Sequence, residues 1–275
     1  MGWSERWRAK HPLLHVAVDE GSGPAVVLLH GIASSWVSFQ HLVPLLAAGH
    51  RVIALDLLGF GQSPVPEEAE YTLEEHVAAV RRTLTRQLGR GTPFVLVGHS
   101  MGALISTRYA ARYPRGIRSL VLVSPPVYLP LIAFSDPVKR AQMALFLRAY
   151  EYLRTHPDFT MRAAAQLAAL SPIKGVLDIS ERNWHAFTLS LKNLIEAQTT
   201  TVTDIANARV PVHVVYGTLD PFLMPAALDI VEKLRGVRST RVDGGDHVIR
   251  PPLARAVAAA IRAAEQVPEE HVGGR

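Results

Sequence analysis

Ser100 stands in Gly98-His99-Ser100-Met101-Gly102, a G-x-S-x-G sequence placed directly after the apolar run FVLVG and before a helical pattern. That context, strand then turn then helix, is the one in which such a serine acts as a nucleophile, lifted above a sheet on a sharp bend. The bend leaves Cβ little room, and backbone passes close to the positions two residues away on either side, so those positions must be small. The helix that opens after the serine offers free amides and a positive dipole end to a developing anion. A serine hydroxyl is a weak nucleophile without a neighbouring base, and histidine is the side chain whose ordinary pKa suits that task near neutral pH.

After a nucleophile elbow the partners follow in the order acid, then histidine. His247 and His271 come late enough to be the base. His247 sits in Gly244-Gly245-Asp246-His247, where glycines let the chain turn sharply after a strand; His271 lies in a Glu- and Gly-rich tail. For the acid, Asp220 in Gly217-Thr218-Leu219-Asp220 follows the strand VHVVYG. It would therefore stand at the carboxyl ends of the strands, where open α/β sheets bind ligands. Asp243 and Asp246 are too close in sequence to His247 to align it easily, Asp204 falls in the stretch between Pro125 and Ala208, and Asp229 falls in a helical pattern. A purely structural use of Asp220, as the cap of the following helix, is the competing reading, because Pro221 follows and Asp favours caps.

The elements around these residues form a regular series. Buried-strand runs occur at Ala25 to His30, Arg51 to Asp56, Phe94 to Gly98, Ser119 to Val123, Val212 to Gly217 and Arg238 to Val242, with an antiparallel edge strand near Leu14 to Val18. Near-continuous apolar runs suit strands covered on both faces. Helices are expected over about Ser35 to Ala48, Leu73 to Leu88, Met101 to Tyr113, Pro225 to Leu234 and Leu253 to Glu265. The alternation predicts an α/β fold with a mostly parallel, doubly wound sheet. From Pro125 to Ala208 no strand pattern occurs; helical patterns near Pro137 to Thr155, Phe159 to Ala169 and Asp178 to Gln198 read as an inserted lid. The expected organisation is a core over residues 1–124 and 209–275, split by a helical lid over 125–208.

With these motifs in place, the chain resembles the α/β-hydrolase fold superfamily. The strand followed by His30-Gly31, the segment carrying Asp56, Gly59, Gly61 and Ser63, then GHSMG, G-x-x-D and GGDH fall in that superfamily's order, from roughly His30 to His247. The resemblance implies that Ile32 and Met101 supply the two backbone N–H groups of an oxyanion hole, and that His30 and Gly31 lie beside the substrate. Trp184 and His185 in the lid are candidate substrate contacts, with packing as the alternative. Asp56 to Ser63 reads as a structural turn, since the third glycine of a dinucleotide fingerprint is absent. Haloalkane dehalogenases and epoxide hydrolases of this fold use an Asp nucleophile, where this chain has Ser100. Carbon–carbon bond hydrolases share the serine but carry H-G-x-G-P-G and a Trp after the histidine; here stand His30-Gly31-Ile32-Ala33 and Val248.

The resemblance implies a serine hydrolase acting on a small, largely apolar carboxylic ester or thioester. The alternatives are carbon–carbon bond hydrolysis of ring-fission products and a ligand receptor that keeps the triad with negligible turnover. Such a triad needs no cofactor and no metal. With no cysteine in 275 residues, disulfides and thiolate metal sites are excluded. The 29 Lys and Arg against 24 Asp and Glu are scattered, so no nucleic-acid partner is expected. Arg6, Arg8 and Lys10 beside Trp3 and Trp7 could touch an anionic membrane, although a solvated leader is the simpler reading. No signal-peptide pattern and no spanning run of about 20 apolar residues is evident, so a cytoplasmic monomer or homodimer without membrane insertion is expected.

Overall fold

The computed structural model describes residues 12–171 and 173–265; the basic N-terminal cluster with Trp3 and Trp7, and His271, lie outside them. Seven strands, β1 (Val16–Glu20), β2 (Ala25–Leu29), β3 (Arg51–Leu55), β4 (Phe94–His99), β5 (Ile117–Val123), β6 (Val212–Gly217) and β7 (Val237–Val242), form one sheet in the order β1-β3-β2-β4-β5-β6-β7. β1 pairs antiparallel with β3, and all other pairs are parallel. The strand alternation explains the unbroken apolar runs. Val27, Leu29 and Leu96 feed a core cluster on one face, while Val26, Leu28, Val95 and Val97 feed a second on the other. Burial on both faces demands apolar side chains at odd and even positions alike.

Nine α-helices complete the described part: α1 (Val43–Ala47), α2 (Leu73–Leu88), α3 (Met101–Arg112), α4 (Pro137–Thr155), α5 (Pro157–Leu170), α6 (Trp184–Ser190), α7 (Thr201–Asn207), α8 (Pro225–Glu232) and α9 (Pro251–Glu265). A π-helical turn, Leu191–Glu196, prolongs α6. α2 starts on a capping box, the Thr72 hydroxyl and the Glu75 carboxylate each accepting from the other's backbone N–H. The expected single helix over Ser35 to Ala48 is instead a 3-10 turn, Trp36–Phe39, followed by α1. Pro44 lacks the N–H that would continue a longer helix, and it sits where proline is tolerated, in a first turn. α4 to α7 all lie between β5 and β6 in the chain, and no strand interrupts them among the described residues. None of the described helices is long and apolar enough to cross a membrane.

Candidate active site

Ser100 follows the last residue of β4 and adopts φ 53°, ψ −123°, a left-handed conformation that costs a non-glycine residue strain. The turn holds because the packing around it leaves no alternative. A Cβ on Gly98 would lie 2.3 Å from the Gly102 carbonyl oxygen, and one on Gly102 would lie 2.2 Å from that of Leu29. The Ser100 N–H donates to the Val123 carbonyl at 3.0 Å, tying the turn to β5. α3 begins immediately after it.

Asp220 and His247 arrive on two loops that are bonded together. The Leu219 N–H donates to the Gly245 carbonyl at 2.9 Å, and the Gly244 N–H to Thr218 Oγ1 at 3.0 Å. Gly217 and Gly245 touch so closely that a Cβ on Gly217 would fall 2.2 Å from the Gly245 oxygen. This contact accounts for Gly217 and Gly245, while Gly244 has space for a Cβ but takes φ 70°. His247 Nδ1 donates to Asp220 Oδ2 at 2.8 Å, and the Phe222 N–H donates to Asp220 Oδ1 at 3.0 Å. Burial pushes the Asp220 carboxyl up, but the His247 hydrogen bond and charge, the Phe222 amide and the Ser124 hydroxyl together hold it below the usual carboxylate range. Asp220 does not cap a helix: α8 starts after Met224. Its rivals are otherwise engaged. Asp204 pairs with Arg108 at 2.9 Å, Asp246 pairs with Arg250 at 2.9 Å, and Asp243 and Asp229 face solvent.

Ser100, His247, Gly31 and Ile32 line one cavity of about 520 Å³. Its walls come from the core and from the helical insertion, including Leu153, Ala164 and Leu167 of α4 and α5 and Phe187 of α6. Arg250 is the only Arg, Lys, Asp or Glu side chain in that wall among the described residues, and Asp246 holds it. No hydrogen bond joins Ser100 Oγ to His247 in this structure among the described residues; such bonds are commonly long before substrate binds. The Ile32 and Met101 amides do not appear as donors in any turn, loop or cap hydrogen bond among the described residues. A Cβ on Gly31 would come within 3.0 Å of Ser100 Cβ, so the loop after β2 lies directly on the serine turn.

Three expected substrate contacts are placed elsewhere. His30 is fully buried and outside the cavity wall, its Nδ1 donating to the Gly31 carbonyl at 2.7 Å and its Nε2 accepting from the Leu57 N–H at 2.8 Å. Burial lowers its pKa against the opposing effects of the Gly31 carbonyl and Asp56. Trp184 packs on Phe187, ring centroids 5.5 Å apart, and His185 meets the edge of Tyr71 instead of the cavity. The Asp56 segment is a structural turn: Asp56 accepts from the Trp36 and Gln62 amides, and its carbonyl from Ser63 Oγ.

Three features were not expected from sequence. Phe222 lies edge-on to the His247 ring, 4.7 Å between centroids. Tyr150 on the cavity wall hydrogen-bonds Tyr128, whose hydroxyl in turn donates to the Phe222 carbonyl. His99 donates to the His247 carbonyl. Only His99, inside the serine motif, carried any sequence signal. Among the described residues no group of three or more His, Asp or Glu side chains is disposed to hold a metal ion.

The family model of the alpha/beta hydrolase fold matches residues 24–170, more than half of the chain. A 115-residue stretch, 40% of the chain, is 38% identical to the probable lysophospholipase BODYGUARD 1 of Arabidopsis thaliana, covering 24% of that protein. A 110-residue stretch, also 40% of the chain, is 37% identical to the bifunctional epoxide hydrolase 2 of Sus scrofa, covering 20% of it. The chain thus spans a quarter or less of the length of these two relatives. Among solved structures, the thioesterase domain from the curacin biosynthetic pathway superposes with a TM-score of 0.64 at 25% identity, over 88% of this chain and 93% of that one. On its sheet order, its serine turn and the family match, the chain belongs to the alpha/beta hydrolase fold family.

Proposed function

We propose that the protein is a serine hydrolase cleaving a carboxylic ester or thioester with a largely apolar acyl group. The observation that carries this reading is one arrangement: a strained Ser100 on the wall of an apolar cavity that also holds His247, whose Nδ1 is fixed on Asp220. With Nδ1–H committed to Asp220, Nε2 is the free lone pair, the tautomer a general base needs. Nε2 takes the Ser100 proton as Oγ attacks the acyl carbonyl. The carbonyl oxygen becomes an oxyanion that the Ile32 and Met101 amides bind, each such donor being worth roughly a hundred- to a thousandfold in rate. The imidazolium, stabilised by ionised Asp220, gives its proton to the leaving alcohol or thiol as the tetrahedral intermediate collapses. Water then repeats the sequence on the acyl-enzyme and releases the acid.

The helical insertion, 125–208, acts in this reading as a lid whose inner side chains receive the acyl group. The wall favours an uncharged chain, because its one formal cation is already paired. The names of the relatives, a lysophospholipase and a thioesterase domain among them, are compatible with ester and thioester chemistry. The epoxide hydrolase likeness is weaker support for its own chemistry, since position 100 is serine and not a carboxylate. The test is labelling with a fluorophosphonate probe and mapping of the modified peptide. Labelling at Ser100 that disappears in Ser100→Ala is expected; absence of labelling in the unmodified chain would refute the reading.

A further inference from the structure

His99 ends β4, directly before the serine. Its ring is buried, and its Nε2 lies 2.8 Å from the backbone carbonyl oxygen of His247, 148 residues further along the chain. A carbonyl can only accept, so Nε2 carries the proton and Nδ1 is a bare acceptor. That Nδ1 is sealed from solvent and has no partner among the described residues. Burying an unpaired acceptor costs free energy that a phenyl ring of similar shape would avoid. The two imidazoles also sit against each other, 4.9 Å between centroids and tilted by 44°.

We propose that His99 is a positioning residue: its Nε2–H fastens the loop carrying His247 to the turn carrying Ser100. The role rests on the Ser100–His247 reading above, and explains a need that reading leaves open. The other described hydrogen bonds of the histidine loop run to the loop after β6 or within the loop itself, at Thr218, Leu219, Asp220 and Asp246. Those bonds fix His247 relative to Asp220. None of them fixes it relative to β4, where the nucleophile stands. The His99 bond spans that gap, from the residue adjoining the serine to the backbone of the base. Burial, followed by the neighbouring His247, pushes the His99 pKa down to about 3, so the ring stays neutral and keeps its single proton where the carbonyl needs it.

His99→Gln keeps an N–H near the position of Nε2, whereas His99→Met keeps length and volume without a donor. The full chain and both variants are compared by fluorophosphonate labelling rate at Ser100 and by kcat and KM on one nitrophenyl ester. The Met variant should lose kcat and labelling rate by up to about a hundredfold, the effect expected of a misplaced reacting group, with KM within about twofold of the parent because ground-state binding does not need the bond. The Gln variant should recover most of that loss. Equal rates in all three proteins, or a Gln variant as slow as the Met variant, would overturn the role of His99 while labelling of the parent upholds the hydrolase reading. A parent that does not label overturns both. If His99→Met does not accumulate as folded protein, judged by its thermal melt, His99→Phe replaces it under the same criteria.

Discussion

Buried histidines make the stability of this protein pH-dependent in a way that can be measured at one of them. His76 on α2 is completely buried. Its Nε2 meets Ser190 Oγ at 3.1 Å, and its Nδ1 has no partner among the described residues. Burial, then the nearby His30, pushes its pKa down to about 3; His99 is pushed down to about 3 as well. An unfolded histidine titrates near 6.5. Between about 6.5 and 3 the unfolded chain therefore holds a proton that the native site refuses, and stability rises with pH. The stabilising difference is fully present above the unfolded value and is lost as pH falls toward the native one. Each such histidine contributes a slope of at most about 1.4 kcal/mol per pH unit, which integrates to about 2.7 kcal/mol between about pH 8 and pH 4.5. Against a typical total of about 5–15 kcal/mol that is a large loss. The assay is urea unfolding at several pH values in this range, for the parent and for His76→Gln, which can keep a hydrogen bond to Ser190. The variant's stability should fall less steeply, by about one proton's worth of slope below about pH 5.5. Parallel curves for the two proteins would show that His76 titrates normally in the native state, and the burial argument would be wrong.

Asp220→Asn should fold, since the amide oxygen can still accept from Phe222, yet lose about four orders of magnitude in kcat because the imidazole tautomer is no longer fixed; ester kinetics beside a thermal melt check both halves. Ala164→Phe fills space on the cavity wall from α5, so the longest acyl chain accepted should shorten while kcat/KM for a two-carbon ester stays within about threefold; an unchanged chain-length profile would place the acyl group elsewhere.

The strands and the serine turn were legible because local sequence and global fold ask for the same thing. An interior strand must be apolar on both faces, so β2 and β4 announce themselves, and α2 carries its own start signal at Thr72 and Glu75. The serine turn was legible through its glycines, which record where backbone passes too close for a Cβ. Asp220 and His247, picked out by their glycine-bearing motifs, stand on two loops that meet through Gly217 and Gly245. Less legible was anything decided by a distant partner. His30 reads as a substrate neighbour until Leu57 supplies an amide to its ring. The helix over Thr201–Asn207 is hidden in the β-branched run Thr199 to Thr203, and it pairs Asp204 with Arg108 of α3. The helical pattern from Asp178 to Gln198 begins only at Trp184 and relaxes into a π-turn at Leu191. No local spacing signals either change.

The fold leaves the reaction open, since one sheet and one turn can present different nucleophiles. What narrows it here is the match between the atom at position 100 and the donors around it. A carboxylate nucleophile attacking a saturated carbon builds no oxyanion in that step; the charge arises only later, when water attacks the carboxylate's own carbonyl in the alkyl-enzyme ester. A serine oxygen attacking an acyl carbonyl builds that charge, and stabilising it requires donors already in place. Ile32 follows Gly31, which lies against the serine, and Met101 is the first residue of α3. Neither amide donates to a turn, loop or cap carbonyl among the described residues. In the reading proposed above, the Ser100 hydroxyl makes acyl transfer the chemistry that uses the oxyanion donors in its first step, with His247 as the base.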